Sequence, residues 1–148
     1  GYAETDPFVS YSFSNGFSLG FTDYFLPTIE NEDPKFFDEN SHAFEINAGY
    51  TAGGLSLSAN YVLNEGTTIA SAGNDTYFQA GYAFEKFNIS VGAGDGWHTS
   101  DGDFNVCHIG VGTSKEIRIT DSFSIPVTGQ VILNPEKEKL YVVLGITL

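Results

Sequence analysis

Apolar and polar residues alternate with a period of two along most of this chain. The C-terminal segment shows it best, because every second residue is bulky and apolar: Leu140, Val142, Leu144, Ile146 and Leu148. Successive side chains of a β-strand point to opposite faces, so this period indicates strands with two different surroundings. Eight further segments repeat the pattern, and the sequence predicts nine strands and no helix. The eight segments are 9–13, 17–22, 44–51, 55–63, 77–84, 87–94, 108–112 and 123–133.

The connections between these segments alternate in length. Short ones with residues typical of tight hairpins lie at Asn15-Gly16, Gly53-Gly54 and Glu85-Lys86. Longer ones lie at 27–41, 64–74 and 97–103, with an intermediate connection predicted at 114–121 and a six-residue turn at 134–139. Short turns at one end and long loops at the other are typical of bacterial outer-membrane barrels.

The polar side of the predicted strands carries almost no charge. Six segments contain no Asp, Glu, Lys or Arg: 54–64, 76–84, 87–94, 104–114, 122–134 and 140–148. A sheet surface that faces water usually carries many charged side chains, whereas this one consists of Ser, Gly, Asn and Thr. Small polar residues suit a barrel lumen and bulky apolar residues suit lipid, where a closed barrel pairs every backbone group. We therefore expect an all-β, antiparallel, up-and-down transmembrane β-barrel, with 1–148 as a single domain.

A soluble secreted β-sandwich is the alternative fold for this pattern. Its apolar side would be the core and its polar side would meet water. Aromatic residues near the strand ends favour the membrane barrel, because they are suited to interfacial girdles: Phe17, Tyr61, Phe84, Phe87, Trp97 and Phe123. Asp23 is an exception on the apolar side, and either a β-bulge shifts the register there or the residue lies above the membrane.

The charge and the cysteine content exclude several classes of function. Six Lys and Arg residues stand against 19 Asp and Glu residues, a formal net charge of −13. Such an acidic chain is unsuited to nucleic acid, which is bound by neutralising phosphates with cations. Cys107 is the single cysteine, so the chain forms no internal disulfide or cysteine cluster for a metal. We expect Cys107 to face outward as a small apolar residue.

The predicted number of strands raises a question of closure. Single-chain bacterial barrels usually have an even number of strands, with both chain ends in the periplasm. Counting back through nine strands from the C-terminus places the start of the first one on the long-loop side. We therefore expect further N-terminal strands, or strands from another chain, to complete the barrel. The alternative is a miscount within 104–122.

The last third of the chain resembles a known family. The motifs are GAGDGW at 92–97, IGVGTSKEIRITDSFSIPVTGQVILNP at 109–135 and the closing LYVVLGITL at 140–148. They resemble the C-terminal half of the Gcw_chp family of TorF-type porins. The resemblance implies an outer-membrane barrel of unassigned solute with additional N-terminal strands. The closing Leu148 differs from the Phe with which many outer-membrane proteins end.

Five polar residues are expected on the inward side of the strands: Glu45, Asn47, Gln79, His108 and Gln130. In an open barrel they would line a pore and set its selectivity. In a filled barrel they would hydrogen-bond to one another, since about eight strands leave an interior just filled by side chains. The acidic loops would favour cations over anions at the mouth.

Loop residues offer weaker candidates for chemistry. Asp95, Asp101 and Asp103 have the oxygen ligands that Ca²⁺ prefers, but their spacing does not match an EF-hand loop and a solvated loop is the simpler interpretation. His98-Thr99-Ser100 would suit a lipid-modifying hydrolase at a barrel rim. No spacing of nucleophile, base and orienting group supports one, so we expect no enzyme. His42 opens a strand and is expected to be exposed.

The sequence leaves three functions open. The first is a passive outer-membrane channel, and the second is a non-conducting structural or accessory barrel of a larger outer-membrane complex. The third is a soluble secreted β-sandwich that acts as a binding module. For the first two the expected partners are the lipid bilayer, lipopolysaccharide and a barrel-completing protein. No cofactor is expected beyond Ca²⁺ at the acidic loops.

Overall fold

The computed structural model describes residues 4–26, 36–37, 41–66 and 71–146. Within these ranges the chain forms eleven β-strands, and a 3₁₀ turn at Gly96–His98 follows the eighth. The strands are β1 Phe8–Ser12, β2 Phe17–Phe25, β3 His42–Ala52, β4 Leu55–Val62, β5 Glu65–Gly66, β6 Ser71–Ala72, β7 Thr76–Ala83, β8 Asn88–Gly94, β9 Asn105–Thr120, β10 Phe123–Asn134 and β11 Lys139–Ile146. No helix in the described residues is long and apolar enough to cross a membrane.

Nine of the strands form one antiparallel sheet in the order β1-β2-β3-β4-β7-β8-β9-β10-β11. Each strand pairs with the next long strand of the chain, so the sheet is an up-and-down meander, and β5 and β6 form a separate small hairpin. The predicted all-β antiparallel fold is confirmed. In the described residues β1 and β11 are edge strands that do not pair with each other, so no closed barrel is formed, and there is no second large sheet of the kind a sandwich requires.

The register of the strand pairs carries each row of side chains across the sheet. Asn47 lies opposite Gly20 and Asn60, and Asn60 lies opposite Tyr77. These residues belong to what we call the polar face, which carries Thr22, Tyr24, Glu45, Asn47, Asn60, Val62, Tyr77, Gln79, Ser90, His108 and Gln130. The opposite side, the apolar face, carries Leu19, Phe21, Ile46, Leu57, Phe78, Val91, Val111 and Val131.

The apolar face of the sheet is more exposed than the polar face. On the apolar face Phe78 is 49% exposed and Val111 is 52% exposed. On the polar face Glu45 is only 2% exposed and Val62 is completely buried. No second large sheet of the described residues covers the polar face, yet its side chains from Thr22 on β2 to Gln130 on β10 are half-buried or buried. This indicates that the sheet curls toward the polar face and leaves the bulky apolar side chains on the outside.

The turns between strands separate the two ends of the sheet. The turns after β1, β3, β7 and β9 are short and form what we call the short-turn end; the connections after β2, β4, β8 and β10 form the long-loop end. Gly16 ends the first short turn with a φ of +92°. A side chain there would also meet the carbonyl group of Thr51, so this tight turn requires glycine.

Two predictions about β9 are wrong. Segment 114–121 is not a connection, because β9 runs to Thr120 and residues from Lys115 onward pair with β10. These residues lie beyond Asn88–Gly112, the last β8–β9 pair, and are exposed, which explains why a strand carries charges there. Cys107 is buried and does not face outward, because the register shift between Gly92 and Ala93 makes it the extra residue of an irregular β8–β9 pairing.

Candidate functional site

The structure places all five residues that were predicted to point inward on the polar face. Asn47 donates to Glu45, Gln79 accepts a hydrogen bond from the Tyr77 hydroxyl at 2.8 Å, and His108 Nε2 lies 2.8 Å from Ser90 Oγ. Gln130 lies opposite Gly112 on β9. Their shared face is therefore an observation, whereas their role in lining a pore remains a prediction.

Glu45 is the centre of a hydrogen-bond network on β2, β3 and β4. Its Oε1 accepts from the Tyr24 hydroxyl at 3.0 Å and from Asn47 Nδ2 at 2.5 Å. Asn47 Oδ1 in turn accepts from Thr22 Oγ1 at 2.8 Å, and Asn47 Nδ2 also lies 3.4 Å from Asn60 Oδ1. A carboxylate that accepts such bonds is held in one position without a cationic partner.

Four rings form a bridge across the polar face, which we call the aromatic bridge: Tyr24, Trp97, His98 and Tyr77. Trp97 meets Tyr24 edge to face with ring centroids 5.4 Å apart, and His98 lies against Tyr77 at 4.8 Å. Trp97 Nε1 donates to His98 Nε2 at 2.7 Å and joins the two halves. Trp97 was expected in an interfacial girdle, but the 3₁₀ turn after β8 instead directs it to the polar face.

The aromatic bridge explains the burial beneath it. Tyr24 is on β2 and Tyr77 is on β7, so the bridge passes over β3 and β4, which lie between them. Glu45 and Val62 are on those two strands and are the largest fully buried side chains of the described residues. Toward the short-turn end the polar face is lined by small residues, and a cavity of about 320 Å³ remains open beside Ser10, Ser18, Gly20, Gly49, Ser58 and Asn60.

His98 is uncharged in this arrangement. Its Nε2 accepts the Trp97 hydrogen bond, so the ring proton must be on Nδ1. Burial lowers the pKa of His98 below its usual 6.5, although the nearby Asp75 and Asp95 carboxylates oppose that shift. Asp75 is itself only 4% exposed, and its Oδ2 has no hydrogen-bond partner among the described residues.

The predicted loop sites are not assembled. Asp95 Oδ1 accepts from the Thr76 amide at 2.5 Å, whereas Asp101 is exposed and accepts from the Asp103 amide. No three His, Cys, Asp or Glu side chains in the described part of the chain are grouped closely enough to hold a metal ion. The Ca²⁺ site therefore remains a prediction without geometric support. The Ser100 amide bonds Glu136, and no hydrogen bond joins Ser100 to His98.

His42 is buried, so the expectation that it is exposed is wrong. It is 5% exposed and lies between the parallel rings of Phe25 and Phe44, with Phe36 edge-on. Its Nδ1 lies 2.8 Å from an Asp23 carboxylate oxygen and its Nε2 lies 2.6 Å from the Phe36 carbonyl oxygen. A carboxylate and a carbonyl oxygen can only accept, so the geometry is satisfied by a doubly protonated, positively charged ring.

This pair also explains why Asp23 lies on the apolar face. No bulge interrupts the pairing of β2 with β3, and Asp23 lies directly opposite Phe44. The carboxylate is compensated by His42 on the neighbouring strand and is shielded by aromatic rings. Sequence reasoning missed this pair, because no periodic pattern links residues at the two ends of a long loop.

Removing one partner of the Asp23–His42 pair should lower the stability of the protein far more than replacing both partners with apolar residues. His42→Ala leaves a mostly buried Asp23 carboxylate unpaired, and we expect a loss of roughly 3–5 kcal/mol in the free energy of unfolding. The double variant Asp23→Leu/His42→Phe fills the site with apolar side chains and should recover most of that loss. Urea unfolding followed by Trp97 fluorescence measures the free energy of unfolding of the single and the double variant. If the single variant were no less stable than the double variant, Asp23 and His42 would not form a buried ion pair.

Acidification should loosen the aromatic bridge. Because the pKa of His98 is lowered in the folded protein, the stability that neutral His98 contributes is complete above about pH 6.5 and is lost as the pH falls below that value. Protonated Nε2 can no longer accept from Trp97, so the emission of Trp97, the single tryptophan, should change in that window. In His98→Gln the amide oxygen still accepts but does not titrate, and the change should disappear.

Comparison with known proteins assigns no family to the chain. No protein-family model matches it, and neither a curated protein nor a solved structure is significantly similar to it. The resemblance of the C-terminal third to TorF-type porins therefore remains a prediction. The two faces of the sheet and the aromatic bridge are the structural features that bear on the function of the chain.

Proposed function

We propose that this chain forms the wall of a bacterial outer-membrane β-barrel that passes small polar solutes passively. One observation carries the proposal: a nine-stranded antiparallel meander exposes its bulky apolar face and leaves most of its polar face half-buried. A protein in water does the reverse with large apolar side chains when it can. Lipid is the surrounding in which this distribution is stable.

The dimensions of the strands support a membrane position. A nine-residue strand such as β2 rises about 3.3 Å per residue, and a tilt of about 40° leaves a height of about 23 Å, close to the apolar band of outer-membrane barrels. Charged strand residues lie mainly toward the ends of the strands. Lys115, Glu116 and Arg118 are on the extension of β9 beyond β8, and the Asp23–His42 pair is at the long-loop end.

The polar face supports transport over a purely structural role. Its cavity is bordered by serine, asparagine and glycine, which offer hydrogen bonds to water and small solutes, and also by the apolar Phe8, Val9, Leu19 and Ala48. These residues lie beside Asn47 and Asn60, so the cavity leads toward Glu45 and the aromatic bridge. A passage along this face would be widest at the short-turn end.

The edges of the sheet favour a second candidate, a barrel that is completed by other strands within a larger complex. In a meander of nine strands the first and the last run in the same direction, so β1 and β11 cannot pair antiparallel with each other. Antiparallel closure therefore takes an odd number of further strands. Closure is needed in a membrane because unpaired backbone groups are costly in hydrocarbon. The filled space beneath the aromatic bridge is the feature that favours a non-conducting barrel.

Lipid quenching should distinguish the two faces. In a Trp97→Phe background, Val91→Trp places the single tryptophan on the apolar face, and Gln79→Trp places it on the polar face of the neighbouring strand. Acyl-brominated lipids should quench the first fluorophore strongly and the second weakly, because only the first would touch acyl chains. If both were quenched only by aqueous iodide, the membrane assignment would fail.

Planar-bilayer recording tests the channel itself. The protein purified from its native outer membrane, with any strands that complete it, should produce discrete conductance steps in potassium chloride. A folded protein that stays silent would remove the channel proposal and favour the accessory barrel. Native purification should then recover a stoichiometric partner, whereas a silent protein without any partner would count against both candidates.

A further inference from the structure

We infer that Glu45, held beneath the aromatic bridge, makes the passage selective for small cations. The inference rests on the proposed channel function and names the class of solute that this channel would take. It follows from the position of one carboxylate on the polar face, from the fixed geometry around it and from the fact that no described cation is bonded to it.

The charge distribution points to cations. On the strands that the structure describes, the polar face carries four charged side chains: Glu45, Glu116, Arg118 and Lys139. Arg118 and Lys139 are exposed, as is Glu116, and Arg118 binds Asp121 at 2.6 Å. Glu45 is the only one of the four that is buried. A charge at a narrow site with little water around it attracts ions of opposite sign more strongly than an exposed one.

None of the described basic groups near the bridge bonds to Glu45, although Lys137 is close enough to His98 to help lower its pKa. His98 accepts a hydrogen bond at Nε2 and is neutral, and His42 belongs to the opposite face, where it pairs with Asp23. The two groups that bind Glu45 Oε1 are the uncharged Tyr24 hydroxyl and Asn47 amide. They fix the carboxylate in place, and no salt bridge to it is formed within the described part of the chain.

The aromatic bridge determines when this carboxylate is reached. Trp97 and His98 lie on a three-residue 3₁₀ turn rather than on a strand, so the bridge is closed by a short connection between β8 and β9. A solute that moves along the polar face has to displace Trp97 from Tyr24 before it passes Glu45. The bridge would therefore limit the conductance, and Glu45 would select the ion.

The test is a selectivity measurement on natively purified protein. In a potassium chloride gradient the reversal potential gives the cation-to-anion permeability ratio for the unchanged protein, Glu45→Gln and Glu116→Gln. Glutamine keeps the size of the side chain and an oxygen that can accept from Tyr24 and Asn47. Glu116→Gln is the matched control, because it removes one negative charge from the same face outside the bridge. Trp97 fluorescence confirms that each variant is folded.

We expect a cation preference that falls several-fold in Glu45→Gln and persists in Glu116→Gln. Trp97→Ala should raise the single-channel conductance, because it removes the ring that closes the bridge. A conducting protein whose cation preference survives Glu45→Gln would overturn the inference and leave the channel proposal standing. A folded, unchanged protein that stays silent would instead overturn the channel proposal, and the inference with it.

Discussion

The hydrogen-bonded register between antiparallel strands is the constraint on which the rest of this structure depends. Side chains alternate between faces, so a slip of one residue would exchange the polar and apolar rows of a strand. On β3 the register places Glu45 between Thr22 and Val62, and Ile46 between Phe21 and Tyr61. Every network described above, on either face, requires that neither pairing slips.

The register also determines where glycine is needed. On the polar face, glycines lie beside residues with larger side chains. A Cβ atom at Gly110 would come within 2.5 Å of Ser90 Oγ and 2.8 Å of His108 Nε2. At Gly92 it would collide with the Tyr77 ring that supports His98. The glycines of β8 and β9 therefore make room for the polar contacts of their neighbours, and the curl of the sheet brings those contacts closer together.

How much the sequence predicts depends on the range of the interaction. The period of two depends only on neighbouring residues, and it predicts the nine long strands, their antiparallel order and the shared face of Glu45, Asn47, Gln79, His108 and Gln130. The end of β9 is missed because charge alone suggested a loop. The Trp97–Tyr24 and Asp23–His42 contacts are missed because each depends on where a loop returns, which no local pattern encodes. The bulge at Cys107 is missed for a similar reason, since one extra residue leaves the alternation on both sides intact.

The two missed contacts lie at the same end of the sheet, and this asymmetry bears on the function. At the long-loop end β2 and β3 carry the Asp23–His42 pair on the apolar face and the Tyr24–Glu45 bond on the polar face, each covered by rings. At the short-turn end the polar face carries serine and glycine. Rings that interlock on both faces resist movement more than small side chains do, because dense packing leaves no free volume. In the proposed channel, discrimination between solutes would therefore lie at the long-loop end, where one side chain position would decide which ion passes.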